Sequence, residues 1–172
     1  LAVEREEFKA LVASDQSKAL RHVFFAERAA ARVPGIGKDV KPRKVEKVAV
    51  IGAGTMGGGI SMAFANAGIA VRVIETSEEL LAKGLERIRG TYAASVKRGS
   101  LSEADLQKRM ALIEGQVGLS AAGEADMIIE AAFEDMGVKR EIFGELARVA
   151  KPGAVIATNT SYLDVNEIAA AA

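Results

Sequence analysis

Three glycines and one glutamate stand at a spacing that could bind a dinucleotide. Gly52, Gly54 and Gly57 follow a short apolar run, residues 48–51, in the order G-x-G-x-x-G. Glu75 comes at about the 20-residue distance expected for a carboxylate that binds ribose hydroxyls. Together these residues predict a strand, a tight turn and a helix that bind the phosphates and one ribose of a dinucleotide.

Each glycine has its own mechanical role in such a turn. Gly52 lets the chain turn sharply, Gly54 has no Cβ to keep a pyrophosphate from the backbone, and Gly57 lets the helix lie close to the strand. The first N–H groups and the dipole of the helix then face the phosphates. A purely structural glycine turn is the alternative, because glycine is common in turns.

Composition narrows the classes of partner. Lysine plus arginine and aspartate plus glutamate both number 23, so the formal net charge is zero. This balance argues against nucleic acid and favours a small molecule. With no cysteine and one histidine, no disulfide and no metal site are expected.

The apolar runs are too short to span a membrane, so we expect a soluble, cytoplasmic protein. Both ends of the sequence look like cuts in a longer chain.

The elements that must position these residues alternate from Lys47 onward, which is typical of an α/β fold with a doubly wound parallel sheet. Strands are predicted at residues 47–51, 70–75, 126–131 and 155–158, with short pieces at 110–113 and at Val117. Helices are predicted at residues 55–67, 78–98, 103–108 and 138–150, with a last one capped by Asp164. Gly84 and Gly90 are expected to break the second of these helices.

A helical segment precedes the sheet. Residues 4–13 and 16–31 have the apolar spacing of helices, and Ser14 or Asp15 is expected to cap the second. Residues 33–47 carry prolines, glycines and charges, which predicts a surface linker. Residues 1–45 are therefore expected to form a helical appendage and linker, and residues 46–172 a dinucleotide-binding domain.

Taken together, several segments resemble the 3-hydroxyacyl-CoA dehydrogenase family in order and spacing. These segments are the glycine turn at 52–59, Glu75, residues 130–135 with Lys139 and Phe143, and residues 157–161. Residues 17–28 are similar to the helix that joins an enoyl-CoA hydratase domain to the dehydrogenase domain in multifunctional fatty-acid oxidation enzymes. The resemblance implies a Rossmann-type NAD-binding domain, truncated at its C-terminal end and preceded by the tail of a hydratase domain.

The resemblance also assigns roles to residues. The implied NAD-binding residues are Gly52, Gly54, Thr55, Met56, Gly57, Glu75, Ala132, Phe133, Glu134, Lys139, Asn159 and Ser161. Ser161 is also the implied catalytic residue, lying between the nicotinamide and the substrate hydroxyl. A carboxylate at Glu75 accepts hydrogen bonds from two ribose hydroxyls and repels a 2′-phosphate, so NAD is expected rather than NADP. Arg72, three residues earlier on the strand, is expected on the opposite face.

By the same resemblance, the full-length parent oxidises a (3S)-3-hydroxyacyl-CoA to a 3-ketoacyl-CoA in fatty-acid β-oxidation, with an acyl-CoA substrate and a thiolase subunit as a partner. The catalytic histidine of the family follows its Asn-Thr-Ser segment, and no histidine follows Ser161 in this sequence. We therefore expect this chain to bind NAD(H) without turnover.

Some residues have a second possible role. His22, the only histidine, fits a helix surface better than a catalytic base. Ser161 lacks the surroundings of a nucleophile. Glu130 and Glu134 could be taken for an acid–base pair, but the rest of the sequence does not support that chemistry. A β-hydroxyacid dehydrogenase of the 6-phosphogluconate type and a non-catalytic nucleotide-binding assembly module remain alternatives.

Overall fold

A computed structural model describes residues 1–37 and 39–172, so Lys38, in the predicted linker, lies outside the described residues. The chain forms two compact units, Leu1–Arg43 and Lys44–Ala172. Between residues 31 and 46 the described residues form no helix or strand.

The first unit consists of two helices, α1 (Ala2–Ala13) and α2 (Asp15–Ala30). Of the two predicted caps, Ser14 or Asp15, Ser14 caps α2, and its hydroxyl accepts the Ser17 N–H at 3.2 Å. Neither helix contains a buried residue. Large apolar side chains, such as those of Phe8 and Phe25, are therefore exposed.

The second unit is built on a five-stranded parallel sheet, which confirms the predicted fold class. Its strands are β1 (Lys47–Ile51), β2 (Ala70–Glu75), β3 (Ile113–Val117), β4 (Met127–Glu130) and β5 (Val155–Thr158). Their order in the sheet is β3-β2-β1-β4-β5, and each neighbouring pair is parallel. The strand order reverses at β1, so a crevice opens beyond the carboxyl ends of β1 and β4.

Helices connect the strands. They are α3 (Thr55–Asn66), α4 (Glu78–Lys97), α5 (Glu103–Met110), α6 (Met136–Val149) and α7 (Val165–Ala169), with a short 3₁₀ helix at Leu119–Ala122. Side-chain caps begin four of the five α-helices, on Ser77, Ser102, Asp135 and Asp164, and α3 is the exception. These caps satisfy N–H groups that have no acceptor within their own helix.

The sheet is covered on both faces, because successive strand residues point to opposite sides. On one face Val48 and Val50 of β1 pack in a cluster with Leu81 and Ile88 of α4. On the other face the members of the cluster are Ala49, Ile51, Ile74, Ala122, Ala125, Ile128 and Leu146. This two-sided burial explains the continuous apolar run of β1.

Two details of the sequence prediction were wrong. Helix α4 runs unbroken through Gly84 and Gly90. A Cβ on Gly84 would overlap the Ala53 side chain, so this glycine lets α4 approach the glycine turn. Met110 ends α5, and β3 is one strand that begins only at Ile113, because the charged pattern of residues 103–110 continues the helix.

Candidate functional site

The turn between β1 and α3 has the shape that its glycines predict. Gly52 has a φ of +96°, a backbone conformation that residues with a side chain rarely adopt. A Cβ there would lie 2.7 Å from the Ala131 carbonyl oxygen. A Cβ on Gly57 would overlap the carbonyl oxygen of Gly52. Both glycines therefore allow the turn to pack against β4 and α3 to pack against β1.

Gly54 differs from its two neighbours in the motif. Its φ of −66° is open to any residue, and a Cβ there would meet no atom within 4 Å. It is the N-cap of α3 and offers no side chain to the first N–H groups of that helix. These N–H groups have no acceptor within the helix, so the space above Gly54 suits an anion.

Glu75 ends β2 and its carboxylate reaches the glycine turn. Its Oε1 accepts the Ala53 N–H at 2.8 Å, and its Oε2 accepts the Thr76 N–H at 3.1 Å. Each carboxylate oxygen has two lone pairs, so acceptor capacity remains for ribose hydroxyls. The carboxylate is thus oriented by backbone groups beside the glycine turn.

Arg72 is engaged elsewhere. Its guanidinium donates to the Glu114 carboxylate at 3.1 Å and to the Ala121 carbonyl at 3.0 Å. The hydrogen bond from Arg72 to Glu114 is the main cause that holds the pKa of Glu114 below its usual value. Arg72 and Glu75 occupy opposite faces of β2 by alternation, so this arginine is not placed to receive a phosphate on the Glu75 side.

A second carboxylate lies at the carboxyl ends of β4 and β5. Glu134 Oε1 accepts the Thr160 hydroxyl at 2.5 Å and the Ser161 N–H at 3.2 Å, while Oε2 lies 3.0 Å from Lys139 Nζ. The Thr160 hydrogen bond above all, with help from Lys139 and Ser161, holds the pKa of Glu134 below its usual value against the effect of burial. Glu134 is therefore ionised at neutral pH.

Behind Glu134 lies a buried ion pair. Lys139 and Glu130 have no exposed side-chain surface, and Lys139 Nζ lies 2.9 Å from each oxygen of Glu130. Glu130 also accepts the Ala132 N–H at 2.8 Å and the Thr158 hydroxyl at 2.6 Å. Burial works to lower the pKa of Lys139, but its bonds to Glu130 and Glu134 outweigh this and raise the pKa. A lysine in the first turn of a helix usually faces water, and sequence reasoning did not reveal this pair.

Two pockets lie at the carboxyl edge of the sheet. The β4–β5 pocket is lined by Gly54, Thr55, Met56, Ala131, Ala132, Phe133, Glu134, Asn159, Thr160 and Ser161. The β2 pocket is lined by Ile51, Gly52, Ile74, Glu75, Thr76, Gly118, Leu119, Ala132, Phe133, Val138, Glu141, Ile142 and Glu145. Phe133 lines both and is 78% exposed.

Ten of the twelve residues implied as cofactor-binding therefore line one of these pockets. Gly57 and Lys139 are the two that do not. Gly57 packs inside the turn, and Lys139 lies behind Glu134. The apolar wall of the β2 pocket, from Leu119 to Ile142, was missed, since isolated apolar residues in a 3₁₀ helix and a helix face carry no sequence signal for binding.

The remaining sequence predictions concern the single histidine, metal sites and membrane spans. His22 is exposed on α2, in the first unit. Across residues 1–37 and 39–172, no three His, Cys, Asp or Glu side chains come together in a way that could hold a metal ion. Among those same residues, no helix has the length and apolarity needed to cross a membrane.

Comparison with known families adds to this geometry. Residues 47–172 match the family described as "3-hydroxyacyl-CoA dehydrogenase, NAD binding domain". The matched segment contains the whole sheet and both pockets.

Individual relatives extend further along the chain. The peroxisomal fatty acid beta-oxidation multifunctional protein of Oryza sativa is 42% identical over 96% of this chain, and the fatty acid oxidation complex subunit alpha of Shewanella amazonensis is 39% identical over all of it. This chain spans only 23% and 24% of their lengths. Among solved structures, the match to the 3-hydroxybutyryl-CoA dehydrogenase of Escherichia coli K12 covers 74% of this chain and 27% of that protein's chain. The two are 35% identical, with a TM-score of 0.71.

Proposed function

Because the chain belongs to the family of 3-hydroxyacyl-CoA dehydrogenase NAD-binding domains, we propose that it holds NAD(H) for the oxidation of a (3S)-3-hydroxyacyl-CoA to a 3-ketoacyl-CoA within a longer protein. The observation that carries this proposal is the glycine turn joined to Glu75. The anion site at Gly54 and the carboxylate of Glu75 meet through the Ala53 N–H, 2.8 Å from Glu75 Oε1.

The residues present fit the cofactor. The open space over Gly54 and the uncapped start of α3 suit a pyrophosphate, and Thr55 and Met56 contribute the first backbone N–H groups of that helix. Glu75 is placed for the hydroxyls of the adenosine ribose. Gly52 and Gly57 act by shaping the turn.

The β2 pocket is our proposed adenosine site. Apolar side chains, among them Leu119 and Ile142, offer a surface for a flat base. The charged side chains that line it are Glu75, Glu141 and Glu145, all of them acidic. Such a lining disfavours a 2′-phosphate, which supports NAD over NADP.

The β4–β5 pocket is our proposed nicotinamide site, since a dinucleotide that crosses the strand-order reversal places its two ends on opposite sides of β1. Ala132, Phe133, Glu134, Asn159 and Ser161 line it. Lys139 lies outside the lining, so we assign it the positioning of Glu134 rather than direct contact with the cofactor.

When bound, NAD supplies a hydride acceptor for C3 of the substrate. The role of this chain is to hold the cofactor and to orient the substrate hydroxyl, with the Ser161 hydroxyl as the donor or acceptor beside it. Proton removal needs a base. Residues 44–172, which hold both pockets, contain no histidine, and the sequence favours a helix-surface role for His22. The base is therefore expected from outside these residues.

The wider context is part of the proposal. The match to the rice protein covers 96% of the chain and so continues into the first unit. We propose α1 and α2 as the tail of an enoyl-CoA hydratase domain from the similarity of residues 17–28 to the helix that joins the two domains in multifunctional enzymes. The bacterial relative is by name one subunit of a complex, which supports a partner subunit, and we propose a thiolase for that partner on the family resemblance alone. A cytoplasmic location competes with a peroxisomal one, because the rice relative is peroxisomal by name.

The test uses the purified 172-residue chain. We expect NADH to bind with a stoichiometry of one in a calorimetric titration, and we expect no oxidation of NADH when acetoacetyl-CoA is added. A folded chain that does not bind NADH would overturn the proposal of cofactor binding. Turnover of acetoacetyl-CoA, in a preparation free of host enzyme, would overturn the assignment of the base to residues outside this chain.

A further inference from the structure

The β4–β5 pocket carries a single charge. Of the ten residues that line it in the described part of the chain, Glu134 alone has an ionisable side chain. About a third of that side chain, 30%, is exposed, and its lowered pKa keeps it an anion at neutral pH.

The network behind the pocket does not cancel this charge. Glu130 and Lys139 are both fully buried and lie 2.9 Å apart, so the two neutralise each other. Two carboxylates and one ammonium group leave one net negative charge, and Glu134 is the member of the three that reaches the pocket. Bonds from Thr160 and Lys139 fix its position.

The two redox forms of a nicotinamide ring differ by one positive charge. The oxidised ring is a cation and the reduced ring is neutral, while the rest of the dinucleotide is the same. A fixed anion in a partly enclosed pocket attracts the cation and has little first-order effect on the neutral ring. Screening by solvent is weaker there than on an open surface.

From this charge balance we infer that Glu134 makes the pocket discriminate between the redox forms of the cofactor, in favour of oxidised NAD. The inference rests on the proposed function, because it takes the β4–β5 pocket as the nicotinamide end. By linkage, tighter binding of the oxidised form shifts the bound couple toward NAD⁺ by the same factor. Glu134 thus favours the exchange of product NADH for fresh NAD⁺.

The experiment compares the affinities for NAD⁺ and NADH, each measured by calorimetry, in the wild-type chain and in E134Q. E134Q leaves the Lys139–Glu130 pair intact, so no buried charge loses its only partner. We expect the ratio Kd(NADH)/Kd(NAD⁺) to fall about three- to tenfold in E134Q, as one unit charge several ångströms away predicts at an intermediate dielectric constant.

Two matched variants separate charge from shape. E134D keeps the charge and is expected to keep the ratio within about twofold, even where both affinities fall. E75Q removes a carboxylate from the other pocket and is expected to weaken both forms equally, which leaves the ratio unchanged. If E134Q does not fold by circular dichroism, E134A is read in its place.

The outcomes are distinguishable. Binding of both forms by the wild type, with E134Q changing the two affinities by the same factor, overturns the inference and leaves the proposed function standing. A folded wild-type chain that binds neither form overturns both. A ratio that falls in E134Q and is kept in E134D supports the inference.

Discussion

Two carboxylates at the same edge of the sheet are held in different ways. Glu75, at the end of β2, is held by backbone N–H groups of Ala53 and Thr76. Glu134, beyond β4, is held largely by the side chains of Lys139 and Thr160, with a buried glutamate behind them. The first arrangement depends on the shape of a local turn, and the second on a buried charge network. Mutations should therefore change cofactor binding alone at Glu75, and stability as well at the buried network behind Glu134.

The largest expected effect is on the buried network. Lys139→Met leaves the buried Glu130 without its ionic partner, so we expect the free energy of unfolding to fall by about 3–5 kcal/mol. Urea denaturation followed by circular dichroism measures it. The control is Lys83→Met, which breaks an exposed pair with Glu79 and should cost less than about 1 kcal/mol. Equal losses in both variants would contradict the contrast.

The glycine turn should show the opposite behaviour. Gly54→Ala adds a Cβ in open space, so stability should hold, while the Cβ occupies the space proposed for the pyrophosphate. We expect affinity for NADH to fall at least about tenfold. Gly59→Ala, at a glycine inside α3 where an added Cβ would meet no atom within 4 Å, is the control and should keep binding and hold or raise stability. Unchanged NADH affinity in Gly54→Ala would place the phosphates elsewhere.

Glu75→Gln probes the β2 carboxylate itself. Loss of a charged acceptor for ribose hydroxyls should weaken NADH about tenfold, and loss of repulsion should narrow the preference over NADPH. Nicotinamide fluorescence titrations with each cofactor measure both changes. A variant that keeps the full preference for NADH would show that the other acidic residues of the pocket set it.

Asp126, at the opposite edge of the sheet, sharpens the comparison because it lines neither cofactor pocket. Its carboxylate accepts bonds from Lys151 and from the N–H groups of Lys47 and Glu46, and the Lys151 bond in particular holds its pKa far below the usual value. A lowered pKa stabilises the fold above the unfolded-state pKa of about 4, and this contribution is lost as pH falls toward the folded-state value.

Asp126→Asn should therefore lower Tm by a few degrees at pH 7, with a smaller gap to the wild type at pH 3. Thermal unfolding followed at both values measures this gap, and NADH affinity should not change. A constant gap at both values would show that the charge of Asp126 does not matter.

The sequence predicted local features of the molecule better than long-range ones. The bounds of β1, β2 and β5 and the cap on Ser14 were correct, because each depends on neighbouring residues. The break predicted at Gly84 was wrong, since the glycine serves a contact with Ala53, which is distant in sequence.

The candidate site shows the same contrast between local and long-range features. The glycine turn and Glu75 were predicted from spacing alone, and their role in cofactor binding stays a prediction. The Glu130–Lys139 pair was not, because a lysine on a helix face shows no sign in the sequence of being buried. The sequence gives no support to Glu130 and Glu134 as an acid–base pair, and the structure joins both carboxylates to the single ammonium group of Lys139.

The most direct test of the central claim is a fluorescence titration of the purified chain with NADH and, separately, with NADPH. We expect saturable binding of NADH and binding of NADPH that is at least about tenfold weaker, because the carboxylates of the β2 pocket repel a 2′-phosphate. Equal affinity for both cofactors, or no binding of either by a chain shown to be folded, would contradict it.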